Sequence, residues 1–209
     1  MTHARAERAA LGDLLAQLGP DAPTLCEGWT TFDLAAHLVL RERRPDAAGG
    51  IALRPLAGYT ASVQETLKAR YGYPRLVELI RSGPAGLYRV PGMDSTVNAL
   101  EFFVHHEDVR RAQRVWEPRE LPADLEALFW KRVRTGRRVF LRKSPVGVVL
   151  HRIGGGVALG GTRDAPVVEV TGTAGELLLF CFGRQSHALV DLAGPEEAVA
   201  ALMDVRLGV

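Results

Sequence analysis

Cysteine is scarce in this chain of 209 residues: Cys26 and Cys181 stand in different halves and form neither a CxxC pair nor a Cys/His zinc-finger spacing. A disulfide framework and a thiolate-built zinc knuckle are therefore not expected, and both thiols should be reduced. Long apolar runs are also missing. The longest, Leu177 to Phe182, falls far short of the roughly 20 residues that cross a bilayer. The opening residues, MTHARAERAALGDLL, mix charges at helical spacing and lack the apolar stretch of a secretory signal, so the expected setting is cytoplasmic with no membrane partner. Nor is there a large excess of one charge. With 26 Lys and Arg against 24 Asp and Glu, the formal charge of +2 provides no general attraction for nucleic acid. No GxSxG elbow, internal repeat or low-complexity tract occurs. Gly154-Gly155-Gly156 lies between two strand-like runs, which makes it a hairpin turn rather than a phosphate loop before a helix.

What is present is an ordinary globular composition, 47% hydrophobic and 24% charged, enough to bury a core without staples. Leu11, Leu14, Leu15 and Leu18 recur at helical spacing and stop at Gly19-Pro20. Thr30 or Thr31 can cap a second helix that runs to about Arg44, with Asp33 at its positive end. After a Gly- and Pro-rich loop, Leu56 to Arg70 and Pro74 to Arg81 read as two helical pieces. Asp94 or Ser95 can start the next helix. A further amphipathic helix between Pro122 and Lys143 should turn Leu125, Leu128, Phe129, Val133 and Val139 inward. Its basic run, Lys131, Arg132, Arg134, Arg137, Arg138, Arg142 and Lys143, reads as a solvated face, with an anionic ligand as the alternative.

The pattern changes at Pro145. VGVVLHRI, GGGVALGG and PVVEVTG are β-branched runs separated by glycines, and ALVDLAG is a later strand. Thr173 and Glu176 can form a capping box for the apolar helix GELLLFCFGR, which Gly183 can close, and Pro195 can start a last helix. The fold class expected is α+β: a helical bundle over residues 1–143 and a small α+β domain over 144–209.

The chemistry centres on NALEFFVHHEDVRRAQR, where Glu101 and His105 lie four residues apart and share one helix face. Such a pair can hold one metal ion if a third ligand comes from another helix. His37, in GWTTFDLAAHLV, is the candidate, although a single histidine on an apolar face is more often a core residue. Two imidazoles and one carboxylate leave a coordination position open, as in catalytic zinc sites and non-haem iron sites. Helix geometry turns His106 and Glu107 away from Glu101. Asp108 can accept from an imidazole, or serve as a plain surface or cap residue.

CEGWTTFDLAAHL, EFFVHHEDVRRA and GELLLFCFGR together resemble the mycothiol-dependent maleylpyruvate isomerase family, within the DinB-like metalloprotein superfamily. The resemblance implies a DinB-like four-helix bundle holding a divalent metal through His37, Glu101 and His105, and a sterol-carrier-like C-terminal α+β domain. It also implies a basic catalytic residue at Arg184. The cofactors it implies are zinc, with nickel or iron as alternatives, and mycothiol as thiol cosubstrate. The expected activity is a metal-dependent isomerisation or S-transfer on a small-molecule substrate through an activated low-molecular-weight thiol. A metal-dependent hydrolase and a non-catalytic, metal-stabilised ligand-binding or sensor module are the alternatives.

Overall fold

The computed structural model describes residues 2–51, 53–84 and 95–208, in two compact units that divide at Glu117/Pro118. The first unit is helical: α1 (His3–Leu18), α2 (Thr31–Arg43), a single turn α3 (Pro45–Ala48), α4 (Ala57–Ser82) and α5 (Ser95–Arg111). Ser95 opens the described part of α5, and Asp94 lies outside the described residues. Helix α2 starts where it does because Thr30 caps it: the Thr30 hydroxyl accepts from Phe32 N, and Asp33 Oδ2 accepts from Thr30 N at 2.9 Å. The two helical pieces expected around residue 72 are the arms of α4. Gly72, at φ 67° and ψ 166°, breaks the helix there, and Pro74 sits in the first turn of the second arm.

Helix α1 packs on α5 and α4, and α2 packs on α4. Their shared core contains Leu11, Leu15, Leu34, Leu38, Leu40, Leu76, Ile80 and Phe102. Each such side chain contributes about 1.5–3 kcal/mol on leaving water. Buried ion pairs set the register. Arg8 of α1 makes two bonds to the Glu42 carboxylate, at 2.6 and 2.5 Å, and donates to Ile80 O at the end of α4. His106 Nδ1 of α5 lies 3.1 Å from Glu7 Oε2 of α1, and Glu107 receives Arg111 Nε at 2.7 Å. A slip of one residue along α1 would strand these charges without partners, a penalty of several kcal/mol.

The second unit comprises α6 (Ala123–Phe140), β1 (Gly147–Arg152), β2 (Val157–Gly161), β3 (Val167–Gly172), α7 (Ala174–Cys181), β4 (Asp191–Ala193) and α8 (Glu196–Asp204). The sheet runs β2-β1-β3-β4, with β1 and β3 parallel and both outer pairs antiparallel. Val148 and Leu150 of β1 stand beside Val168 and Val170 of β3, and all four are buried on the face against which α7 packs. Helix α7 ends in a Schellman turn: Gly183 takes φ 83°, and Arg184 N and Gly183 N return to Leu179 O and Phe180 O.

The division falls earlier in the chain than the change from helical to alternating pattern, because α6 packs on α7 and β2. Glu126 of α6 accepts from Ala174 N and Gly175 N, and so caps α7. The buried stripe of α6 is Leu125, Phe129, Trp130, Val133 and Phe140, while Val139 is 45% exposed. The stripe advances from Val133 by one full turn and then another to Phe140, which carries the inward direction past Val139. Among the described residues, no helix is long and apolar enough to cross a membrane.

Candidate metal centre

Three backbone segments of the first unit converge on one group of side chains. Helix α2 is buried on every side from Leu34 to Leu40, and His37 sits within that stretch. Helix α5 presents Glu101 and His105 one turn apart. The loop before α2 is tied to α5 by Leu25 N donating to Asp108 O at 3.0 Å, which brings Cys26 and Trp29 into the same place. The Trp29 and His37 rings are 5.1 Å apart, and those of His37 and His105 are 5.4 Å apart.

His37, Glu101 and His105 offer ligand atoms that all lie within 4.8 Å of one another. His105 Nε2 is 3.2 Å, and His37 Nε2 3.8 Å, from the same oxygen, Glu101 Oε1. A tetrahedral site with bonds of about 2.0–2.1 Å has ligand–ligand edges of about 3.4 Å, so these separations suit one divalent ion. Behind His105, Asp108 is fully buried, and its Oδ2 lies 2.9 Å from His105 Nδ1. The Cys26 thiol donates to that same oxygen at 3.3 Å. A carboxylate on Nδ1 is the usual arrangement behind a metal-ligating histidine: it keeps a proton on Nδ1 and makes Nε2, the atom facing Glu101, the one that would give up its proton to ligate. Cys26, His105 and Asp108 form a second compact trio through the opposite ring nitrogen.

Burial and neighbouring charges act on the three groups in different directions. Burial opposes charge on His105, but Asp108, Cys26 and Glu101 outweigh it and hold the imidazole well above its usual 6.5. Burial likewise opposes charge on Glu101, and its bonds to His105 and His37, together with Arg41, hold it well below the ordinary carboxylate range. His37 is pushed down, first by burial and then by His105 and Arg41, against the pull of Glu101. These influences favour a charged His105 beside a neutral His37.

His106 and Glu107 point elsewhere, as their helix positions imply: His106 pairs with Glu7, and Glu107 with Arg110 and Arg111. Arg184 lies in the second unit on the turn after α7, where its Nη1 donates to Phe182 O at 2.6 Å. Sequence reasoning passed over Cys26, Trp29 and Arg41 as members of the group. Only Arg41 carried a local signal, since it follows His37 by one helical turn.

Neither a family model nor a curated protein matches the sequence. A solved mycothiol-dependent maleylpyruvate isomerase superposes with a TM-score of 0.56 at 17% identity, covering 91% of this chain and 90% of that one. The fold is that of the isomerase. A second structure of a mycothiol-dependent maleylpyruvate isomerase, with one histidine replaced by alanine, superposes with a TM-score of 0.52 at 16% identity over the same shares of both chains. The likeness to the isomerase extends through both compact units and is one of architecture, with an α+β second unit following the helical one in each case.

Proposed function

We propose that the protein is a metal-dependent enzyme of the mycothiol-dependent maleylpyruvate isomerase type. Its divalent ion, zinc in the first instance and nickel or iron as alternatives, would be held by His37, Glu101 and His105. The observation that carries the reading is the meeting of two Nε2 atoms on one carboxylate oxygen, with Asp108 behind the second imidazole. When bound, such an ion supplies Lewis acidity, lowering the pKa of a thiol or water that shares it.

The chain's own residues have separate tasks. Asp108 keeps the proton of His105 on Nδ1, so that Nε2 is the ligating atom, and the Cys26 thiol steadies the carboxylate. Burial keeps His37 neutral, which spares an entering ion the work of displacing a proton from it. Trp29, packed against the His37 ring, restricts its rotation. His37, Glu101 and His105 would hold the ion with room for a low-molecular-weight thiol, mycothiol by likeness to the isomerase, and the reaction would be isomerisation or S-transfer on a small molecule. Arg184 enters as the residue for a substrate carboxylate on the strength of the sequence resemblance alone. Neither Cys26 nor Cys181 forms a disulfide among the described residues, which suits a reducing compartment such as the cytoplasm.

Elemental analysis of untagged protein should find one divalent ion per chain, and His37→Ala, Glu101→Ala and His105→Ala should each reduce occupancy sharply. Full occupancy in His37→Ala would make His37 a core histidine and sink the ligand set. Titration of mycothiol, glutathione and cysteine should then raise the stability of the metal-loaded form, by about 2.7 kcal/mol at a hundredfold excess over Kd. Thiol-independent ester or amide hydrolysis would replace the thiol reading with activated water. Ligand binding without any turnover would indicate a sensor module.

A further inference from the structure

The C-terminal half of α2 and the residue that follows it carry three arginines, and their commitments differ. Arg43 donates through Nη2 to Leu79 O, Ser82 Oγ and Gly83 O, closing the end of α4. Arg44 forms a two-bond fork on Asp46. Arg41 is the one directed at the candidate ligands: Nη1 donates to Asn98 Oδ1 at 2.7 Å, Nε lies 3.5 Å from Glu101 Oε1, and Nη2 has no hydrogen-bond partner among the described residues. The unpartnered buried side-chain atoms among those residues are Arg43 Nε and His151 Nε2, so the open donors of Arg41 are not sealed in the interior. Its side chain is 18% exposed, which limits competition from water.

Position matters as much as spare capacity. Arg41 follows His37 by one turn of α2, and Asn98 precedes Glu101 by one turn of α5, so both lie on the faces that carry the candidate ligands. Asn98 holds the guanidinium in a fixed orientation beside Glu101. Among the described residues, the carboxylate paired with Arg41 is Glu101, which the proposed ion would share, leaving the positive charge of Arg41 incompletely matched. A planar, permanently charged fork with open N–H groups beside an open coordination position suits a carboxylate better than a neutral group.

We infer that Arg41 is a substrate-binding residue that anchors a carboxylate of a small organic acid beside the metal position, with Asn98 orienting its guanidinium. The inference rests on the proposed metal reading and adds the residue within the first unit that would hold the substrate's carboxylate. Two roles are thereby separated: the ion's position receives the thiol, and Arg41 receives the acid.

The test uses the full-length protein at saturating zinc, so that any weakening of metal binding does not enter, with maleate as probe and its uncharged diamide as control. Calorimetric titration should show maleate binding weakened about ten- to a hundredfold in Arg41→Gln, the range expected for losing charged hydrogen bonds. Arg41→Lys should recover only part, because it restores a point charge without the fork. The diamide should bind wild type and Arg41→Gln alike. Equal maleate affinity in wild type and Arg41→Gln, or no maleate binding by wild type, would overturn the inference and leave Arg41 as a support for Glu101. Zinc and thiol binding measured on the same wild-type sample separate the two readings. If they succeed while maleate ignores Arg41, this inference alone falls; if they fail while maleate still needs Arg41, the metal and thiol reading falls and the anion site stands.

Discussion

Replacing Asp108 with Asn is the most informative single change, because it preserves shape while removing the charge that faces His105. Asp108 is 0% exposed, and its Oδ2 sits 2.9 Å from His105 Nδ1. Loss of a carboxylate behind a ligating imidazole ordinarily weakens metal binding by about 10–100-fold, or about 1.4–2.8 kcal/mol. The same change should alter the pH dependence in a defined direction. In the ion-free protein His105 is held well above 6.5, with Asp108 the largest of the influences that raise it. An entering ion must displace that proton, so wild-type affinity should begin to fall at a higher pH than in Asp108→Asn. Zinc affinity would be measured by competition with a chromophoric chelator at pH values from 5.5 to 8.5. Unchanged affinity and an unchanged profile in Asp108→Asn would refute the argument. The other trio predicts a different pattern: were the ion held by Cys26, His105 and Asp108, Cys26→Ser would abolish binding and Glu101→Gln would spare it.

Stability of the ion-free protein should also depend on pH. His105 is raised on folding, so its contribution is complete below the unfolded value of 6.5 and is lost as pH rises through the folded value, whereas the depressed His37 acts in the opposite sense below 6.5. Above pH 6.5, the melting temperature of chelator-treated wild type should therefore decline more steeply than that of His105→Gln, and parallel profiles would count against the buried imidazolium. For the second unit, a fragment of residues 118–209 should melt cooperatively, whereas one of residues 144–209 should not. The shorter piece lacks Phe129, Trp130, Val133 and Phe140, and the Glu126 cap on α7. Equal melting of the two fragments by circular dichroism would show that α6 is dispensable.

Periodicity made the helices and strands legible in the sequence, because the inward positions of an element repeat with its own geometry. The Thr30 cap, the break near Gly72, the glycine hairpin and the turn at Gly183 could be read because each depends on residues close together in the chain. Glu101 and His105 belong to the same class, since one helical turn suffices to relate them. His37 could be nominated only by residue type and family likeness; that its Nε2 comes to 3.8 Å from Glu101 was decided by the packing of helices distant in sequence. Tertiary structure also decided the allegiance of α6. An amphipathic stripe states that a partner exists without naming it, and the partner proved to be α7 and the sheet. The burial of Asp108, the arrival of Cys26 beside it and the contact between Arg41 and Asn98 likewise depend on chain segments that no local pattern connects. Sequence by itself therefore determined the kinds of element and the inventory of ligating groups, because both follow from short-range geometry and side-chain chemistry. Which groups share a site was decided by tertiary packing, because the energy that brings them together comes from the core around them.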